Sequence, residues 1–268
     1  LSSCIVEPIR IQKYLSESGV CSRRAGERLL TEGRIKINGE VVTTPGTKVD
    51  PDVDRIEVDG KAVKMEDRVL VVAMMHKPMG YICTESDPQG RKTVQDLLPE
   101  DMPRVFSVGR LDWASEGLLL FTNDGELANA LMHPSSGVLR EYEVKVKGHP
   151  TRRAVQQLSK GYKDETGHQV VPLDVSFLRR TQKNSWYRII LTEGKYHEVR
   201  RICQAAEMIV LRLIRVAYGP IELNRLPEGE VRVLSGSEVH ELRELANMKK
   251  KRRILSAADQ LGPPKAPK

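Results

Sequence analysis

Aromatic side chains are scarce in this chain: Phe, Tyr and Trp together make up 4% of its 268 residues. Its core must therefore be filled by Val, Leu and Ile. No apolar run approaches the roughly 20 residues that a membrane-crossing helix needs. The first residues also lack the basic-then-apolar order of an export signal, so a cytoplasmic location and no membrane partner are expected. The chain opens on Leu1 rather than Met, as expected if a few residues precede it. Cysteine is sparse too. Cys4, Cys21, Cys83 and Cys203 stand far apart with no C-x-x-C pair, which argues against a zinc site and a disulfide framework. The six histidines are scattered without metal-ligand spacing, and the chain is read as metal-free.

A broadly basic body is missing as well. The net charge is +7, but residues 247–268 hold seven Lys or Arg against Asp259 alone, which leaves about +1 for everything before them. That tail is expected to be basic and flexible, adding affinity for polyanions without specificity. Any nucleic-acid surface on the body must come from local clustering. What is present is ordinary for a globular protein, 40% hydrophobic and 29% charged, and long enough for one large domain plus a small one.

The small one comes first. Ile11, Tyr14, Leu15 and Ser18 fall at helical spacing before Gly19, and Ser22 is placed to cap a second helix over 23–32. Arg34-Ile35-Lys36-Ile37 alternates as a strand into Asn38-Gly39, a hairpin signal, and 55–58 repeats the pattern before Asp59-Gly60. Residues 10–36 carry Arg10, Lys13, Arg23, Arg24, Arg28, Arg34 and Lys36 against three acids, whereas residues 40–59 carry six acids against Lys48 and Arg55. A basic helical half suits a module that lies along phosphates, and a plain solvated helix face is the competing reading. Ile11-Gln12-Lys13-Tyr14-Leu15, Gly19, Ser22-Arg23-Arg24, Gly33 and Ile37-Asn38-Gly39 resemble the S4 RNA-binding domain over about residues 9–65. The resemblance implies an RNA-binding role for Arg10, Lys13, Arg23, Arg24 and Arg28. With few aromatics here, phosphate and shape readout should dominate over base stacking.

Glu66-Asp67-Arg68 is too short for a loose tether. A strand is expected over 69–75, then a turn at Lys77-Pro78-Met79-Gly80 whose lysine lies at a strand end where ligands are met. Residues 85–92 form a polar loop with a basic tip, expected to touch RNA. The stretch from Val108 to Asn123 organises the rest. Gly109 lets the backbone bend, Asp112 sits on the bend beside Arg110, and Leu118–Phe121 is an apolar run typical of a strand buried on both faces. An acid at the rim of such a strand is held as a catalytic carboxylate must be. The bland reading is a turn-forming Asp, or one paired with Arg110.

Gly109-Arg110-Leu111-Asp112 followed by Ser115-x-Gly117-Leu118-Leu119-Leu120-Phe121-Thr122-x-Asp124-Gly125 resembles the signature of the ribosomal pseudouridine synthases that carry an N-terminal S4 domain. Leu131-Met132-His133-Pro134 and Arg140-Glu141-Tyr142 also fit. The resemblance runs to about residue 245 and implies an α+β protein: an S4 module of two helices and a small sheet at 8–66, and a catalytic domain with a central mixed, mostly antiparallel sheet at 67–246, before the tail at 247–268. It implies that Asp112 is the essential catalytic residue. Tyr142 lies on an alternating strand, 140–148, and by pattern alone is a core aromatic; the resemblance makes it the ring against the target uracil and the favoured base for the C5 proton. The segment 193–202, a glycine turn feeding a basic helix, offers Lys195, His197, Arg200 and Arg201 as a phosphate-binding surface or as plain surface charge. By resemblance, Arg200 pairs with Asp112. An aliphatic side chain of the last core strand, 210–219, lies beneath the base, with Leu213 preferred over Ile214. Arg110 is either a wedge for the space an extruded base vacates or a structural salt bridge, and Lys77, Lys195 and Arg201 join it as substrate contacts.

Turning uridine into pseudouridine breaks N1–C1′, turns the uracil and forms C5–C1′, with no net change of oxidation state. No metal or redox cofactor is needed, only an ionised carboxylate beside C1′ and C2′ that acts as nucleophile or as base. His76-Lys77-Pro78, Asp87-Pro88-x-Gly90-Arg91 and 127–134 look most like the B type among the family's enzymes for the large ribosomal particle. So 23S rRNA, free or in a pre-ribosomal particle, is preferred over 16S as partner, and the enzyme is expected to be a monomer. A non-catalytic S4-type ribosome assembly factor is the rival from another class. A glycoside hydrolase would need a second carboxylate facing Asp112, and no second acid motif is found.

Overall fold

A computed structural model describes residues 7–65, 69–133 and 136–246. The expectations for the 66–68 connector and the basic tail at 247–268 lie outside the described residues. The chain divides into two compact units, with the division between Val69 and Leu70.

In the first unit, β1 (Ile9–Arg10) runs into α1 (Ile11–Glu17), and α2 (Arg23–Thr31) follows. Then come β2 (Ile35–Ile37), β3 (Glu40–Val42), β4 (Lys48–Val49), β5 (Ile56–Val58) and β6 (Lys61–Val63). Strands β3-β2-β5-β6 form an antiparallel sheet, and β1 pairs with β4. The Ser22 hydroxyl accepts from the Ala25 amide at 3.3 Å and so caps α2, as its position in the sequence suggests. Helices this short are not stable alone in water. Burial holds them: Ile11, Tyr14, Leu15, Leu29 and Leu30 pack on Ile35, Val49, Ile56 and Val58, each such side chain contributing about 1.5–3 kcal/mol. Arg10, Arg23, Arg24 and Arg28 stay exposed at the helical end.

The second unit contains β7 (Val72–Lys77), a 3-10 turn (Val94–Leu97), β8 (Phe106–Val108), β9 (Glu116–Thr122) and α3 (Gly125–Met132). These lead to β10 (Arg140–Lys147), α4 (Arg152–Lys160), β11 (Tyr162–Lys163) and β12 (Gln169–Val170). After β13 (Asp174–Arg180), β14 (Asn184–Leu191) and α5 (Glu198–Ala205), the chain closes with β15 (Val210–Tyr218), β16 (Ile221–Glu222), β17 (Val231–Val233) and α6 (Gly236–Leu245). The central sheet has the order β13-β14-β10-β15-β9-β7-β17, with β16 on β15 and β8 on β9. Among the described residues of this sheet only the β9–β15 pairing is parallel, so the sheet is mixed and mostly antiparallel.

Strand β9 lies against β7, β8 and β15, and every one of its residues is buried, Glu116 included. The Glu116 carboxylate is neutralised by Arg212, whose Nε donates to both oxygens at 2.9 Å. On one side of the sheet Val72, Met74, Leu118 and Leu120 pack with Leu127 and Leu131 of α3 and Val239 and Leu242 of α6. Asp124 caps α3 by accepting from the Glu126 and Leu127 amides, and Arg243 of α6 bonds the same carboxylate.

Two boundaries differ from the sequence reading for physical reasons. The strand expected over 69–75 is β7, Val72–Lys77. Lys77 stays in the ladder because it is in register with Gly117, and its side chain is wholly buried. The basic helix begins only at Glu198, because His197 takes a left-handed backbone conformation (φ 54°) that no helix continues through.

Candidate active site

The segment between β8 and β9 carries Asp112, and its backbone is fixed carbonyl by carbonyl. Gly109 (φ 76°) makes the bend that leads into it. The Cys83 thiol donates to the Leu111 carbonyl and accepts from the Leu111 amide, both at 3.3 Å. The Asp112 carbonyl accepts from the Ser115 amide at 3.0 Å and from the Lys77 ammonium at 3.1 Å. The Gly80 amide donates to the Trp113 carbonyl at 2.9 Å, Arg200 Nη2 to the Ala114 carbonyl at 2.6 Å, and Lys77 again to the Ser115 carbonyl at 2.8 Å. Every carbonyl from residue 111 to 115 is thus held from within the loop, from β7, from the segment after it, or from α5. Backbone carbonyls away from water require such partners, and together these bonds restrain the loop. Asp112 is placed as a preorganised group must be.

Below the loop, the sheet aligns a row of residues. Ile189 pairs with Tyr142, Tyr142 with Arg215, Arg215 with Gly117, and Gly117 with Lys77. Residues directly opposite in a ladder share a face, so Tyr142, Arg215 and Lys77 lie on one face of the sheet, and Lys77 reaches the Asp112 loop from it. Leu213 is opposite Val144 on the same strands and is 4% exposed; Tyr142 is 7% exposed. Gly117 permits the close approach. Its φ is 108°, and a Cβ there would fall on the Arg215 backbone, 2.5 Å from the nitrogen and nearer still to the oxygen.

Charge at this end of the row is concentrated on buried cations. Burial holds the Lys77 ammonium below its ordinary pKa, and Cys83, Asp112 and Glu116 act against that shift. Burial likewise pushes the Cys83 thiol up, which keeps it a neutral hydrogen-bonding group. Arg215, 3% exposed, donates from Nε to the Leu118 carbonyl at 2.7 Å and lies over the Tyr218 ring at 5.2 Å. The Asp112 carboxylate itself is open to solvent, with its side chain 34% exposed.

The basic group nearest this carboxylate differs from the expectation. His197 Nε2 lies 3.4 Å from Asp112 Oδ1, whereas Arg200 bonds the main chain two residues further along. The reason is the turn: the Ser115 amide folds back on the Asp112 carbonyl and presents the Ala114 carbonyl to α5. Arg110 is exposed and forms no ion pair among the described residues, which removes its salt-bridge reading. Lys195 is engaged by Glu193 at 3.1 Å and Asp164 at 3.7 Å, and the Glu193 bond raises its pKa. Arg201 faces Glu165 at 3.6 Å and Tyr196 at 5.7 Å. Acids of the 164–165 turn therefore offset part of the cationic surface expected here. His76, Glu116 and Glu228 come within metal-ligand distance of one another, but Arg212 already bonds both carboxylates.

Two contributors, Cys83 and Arg215, have no part in the sequence reading, and His197 figures there only in a surface that is phosphate-binding or plainly charged. Arg215 had a signal, a charge inside the apolar run 210–219; nothing in the sequence pointed to Cys83.

A family profile described as RNA pseudouridylate synthase matches residues 71–205, and one described as S4 domain matches residues 9–54. An uncharacterized RNA pseudouridine synthase of Aquifex aeolicus is 41% identical over 242 residues, covering 90% of this chain and 96% of that protein. The ribosomal large subunit pseudouridine synthase B of Bacillus subtilis is 40% identical over 240 residues, covering 89% and 97%. The namesake from Pasteurella multocida is 39% identical over 250 residues, covering 91% and 72%. A crystal structure of a pseudouridylate synthase shares the fold, with a TM-score of 0.60 at 24% identity over 87% of this chain and 99% of its own.

Proposed function

Because the chain belongs to the RNA pseudouridylate synthase family, isomerases that act on RNA, we propose that it converts a uridine of ribosomal RNA, 23S by preference, to pseudouridine through Asp112. The observation that carries this reading is the loop held at every carbonyl from 111 to 115, which leaves the Asp112 carboxylate 34% exposed to a substrate. The large-subunit naming of the Bacillus and Pasteurella relatives supports the choice of 23S rRNA.

The target uridine leaves its stack before it can reach a carboxylate at the bottom of a loop. Arg110, exposed and with no ion pair among the described residues, fills the vacated space. Asp112 then either attacks C1′, forming an ester as the N1–C1′ electrons pass to uracil, or removes the C2′ proton with the same leaving group. The freed uracil turns between Tyr142 and Leu213, whose apolar walls keep it from water. C5 then bonds to C1′ as the ester bond to Asp112 breaks or, on the elimination route, as C2′ takes its proton back from Asp112. The C5 proton passes to the Tyr142 oxygen as the phenolic proton leaves to solvent, and N1 takes up a proton. Arg200 acts on this sequence by fixing the Ala114 carbonyl rather than by pairing with the acid. Lys77 holds the loop from beneath, and Lys195 and Arg201 lie toward the RNA backbone. The S4 unit adds phosphate contacts through Arg10, Lys13, Arg23, Arg24 and Arg28.

The test is carbodiimide mapping of pseudouridines in rRNA from cells with the gene, without it, and with Asp112→Ala in its place. One 23S position is expected to lose its pseudouridine on deletion and not regain it with Asp112→Ala. An unchanged map, or restoration by that variant, overturns the proposal.

A further inference from the structure

We infer that His197 is the positioning residue for the Asp112 carboxylate, an inference that rests on Asp112 being the essential acid. Three independent features of His197 converge. Its Nε2 is 3.4 Å from Asp112 Oδ1, the one basic nitrogen within 4.0 Å of that carboxylate among the described residues, and an ion pair when the imidazole is protonated. Its backbone is left-handed at φ 54°, a conformation uncommon outside glycine, of which histidine is one of the more tolerant residues, and it ends the preceding loop immediately before α5. Outliers of this kind persist where the surroundings over-determine them, and they gather at functional sites. Its ring is stacked on Tyr196, centroids 3.8 Å apart and planes 17° from parallel.

Together these fix the imidazole in place and direction. The left-handed residue stands immediately before α5, and its ring lies nearly parallel to that of Tyr196. Arg200, three residues on, ties the same helix to the Ala114 carbonyl. Helix α5 and the residue that precedes it therefore grip the Asp112 loop twice, once by main chain and once by the carboxylate. The loop bonds fix where Cα of Asp112 sits; they do not fix its χ angles. A carboxylate free to rotate would present an oxygen to C1′ or C2′ only part of the time, and a misplacement near 1 Å is enough to lower a rate about 100-fold. His197 supplies the missing constraint, with its side chain 37% exposed.

The test uses two substitutions that tolerate a left-handed backbone, His197→Gly and His197→Asn, in the full chain, with a 23S rRNA transcript as probe. Single-turnover pseudouridine formation is expected to fall about 100-fold in both, with RNA affinity within about twofold of wild type. Added imidazole should restore a large part of the rate to His197→Gly and none to Asp112→Ala. A wild-type rate in both variants overturns the inference, as does a loss confined to RNA affinity. A rate loss in His197→Gly that imidazole leaves unchanged also overturns it, by assigning the defect to the backbone. An active Asp112→Asn would instead strike at the premise, and the role of His197 would go with it.

Discussion

Replacing Lys77 by methionine keeps the length and apolar stem of a wholly buried side chain and removes its ammonium. That ammonium donates to the carbonyls of Pro78, Asp112 and Ser115 at 3.0, 3.1 and 2.8 Å. Three charge-assisted bonds of ~1.5–3 kcal/mol each would amount to roughly 5–9 kcal/mol. Removing the cost of burying an ammonium returns several kcal/mol, so the net loss should be about 2–4 kcal/mol. In a unit of this size that is a fall in Tm of roughly 5–15 °C. The effect on catalysis should be larger than on binding, since two of the three carbonyls belong to the Asp112 loop: a single-turnover rate down about 100-fold with RNA affinity unchanged. The ammonium's depressed pKa also gives a pH signature. Folded Lys77 releases its proton more easily than unfolded lysine, whose ordinary value is 10.5. The unfolded state therefore binds more protons in the window just below that value, and stability from this group rises with pH there. The advantage of wild type over Lys77→Met in urea denaturation should grow as pH is raised toward 10.5. A folded Lys77→Met protein that makes pseudouridine within about twofold of the wild-type rate would refute the role given to the loop.

Gly117→Ala should abolish soluble protein or lower Tm by roughly 6 °C or more, because a Cβ strikes the Arg215 backbone and the positive φ adds strain of its own; thermal unfolding followed by circular dichroism reads this. Glu238, held down at about 2 by its hydrogen bonds with Arg232, closes the capping box at the start of α6. Its stabilising effect is present above the ordinary value of 4.5 and is lost as pH falls toward 2. Glu238→Gln should therefore show a flatter acid limb in urea denaturation between those values. In the S4 unit, changing Arg10, Arg23 and Arg24 together to Gln should make the slope of log affinity against log salt shallower by about 2, at ~0.7 for each phosphate no longer neutralised. An unchanged slope would show that these arginines point away from the RNA.

Much of this protein was readable where chemistry is local. The Ser22 cap, the Asn38-Gly39 hairpin and the fully buried Leu118–Phe121 strand all follow from residue type and spacing. What the sequence could not convey was the pairing of distant segments. Lys77 looked like a turn residue, and only its register with Gly117 carries it inside. The partner of Asp112 came out as His197 because one non-glycine residue takes a left-handed backbone, and no spacing pattern reports φ. Arg200 was placed at the right loop on the wrong atom, the Ala114 carbonyl in place of the carboxylate. Such swaps are settled by a single hydrogen bond in a turn, a scale finer than periodicity can reach.

The grip on residues 111–115 is made almost wholly to their carbonyls. Side chains at 113 and 114 are consequently free to change without loosening the acid between them and Arg110. Trp113, 57% exposed next to Asp112, occupies such a position. A scaffold that reads only main-chain atoms lets evolution rewrite what surrounds the carboxylate, and so which RNA is welcomed, while the carboxylate keeps its post.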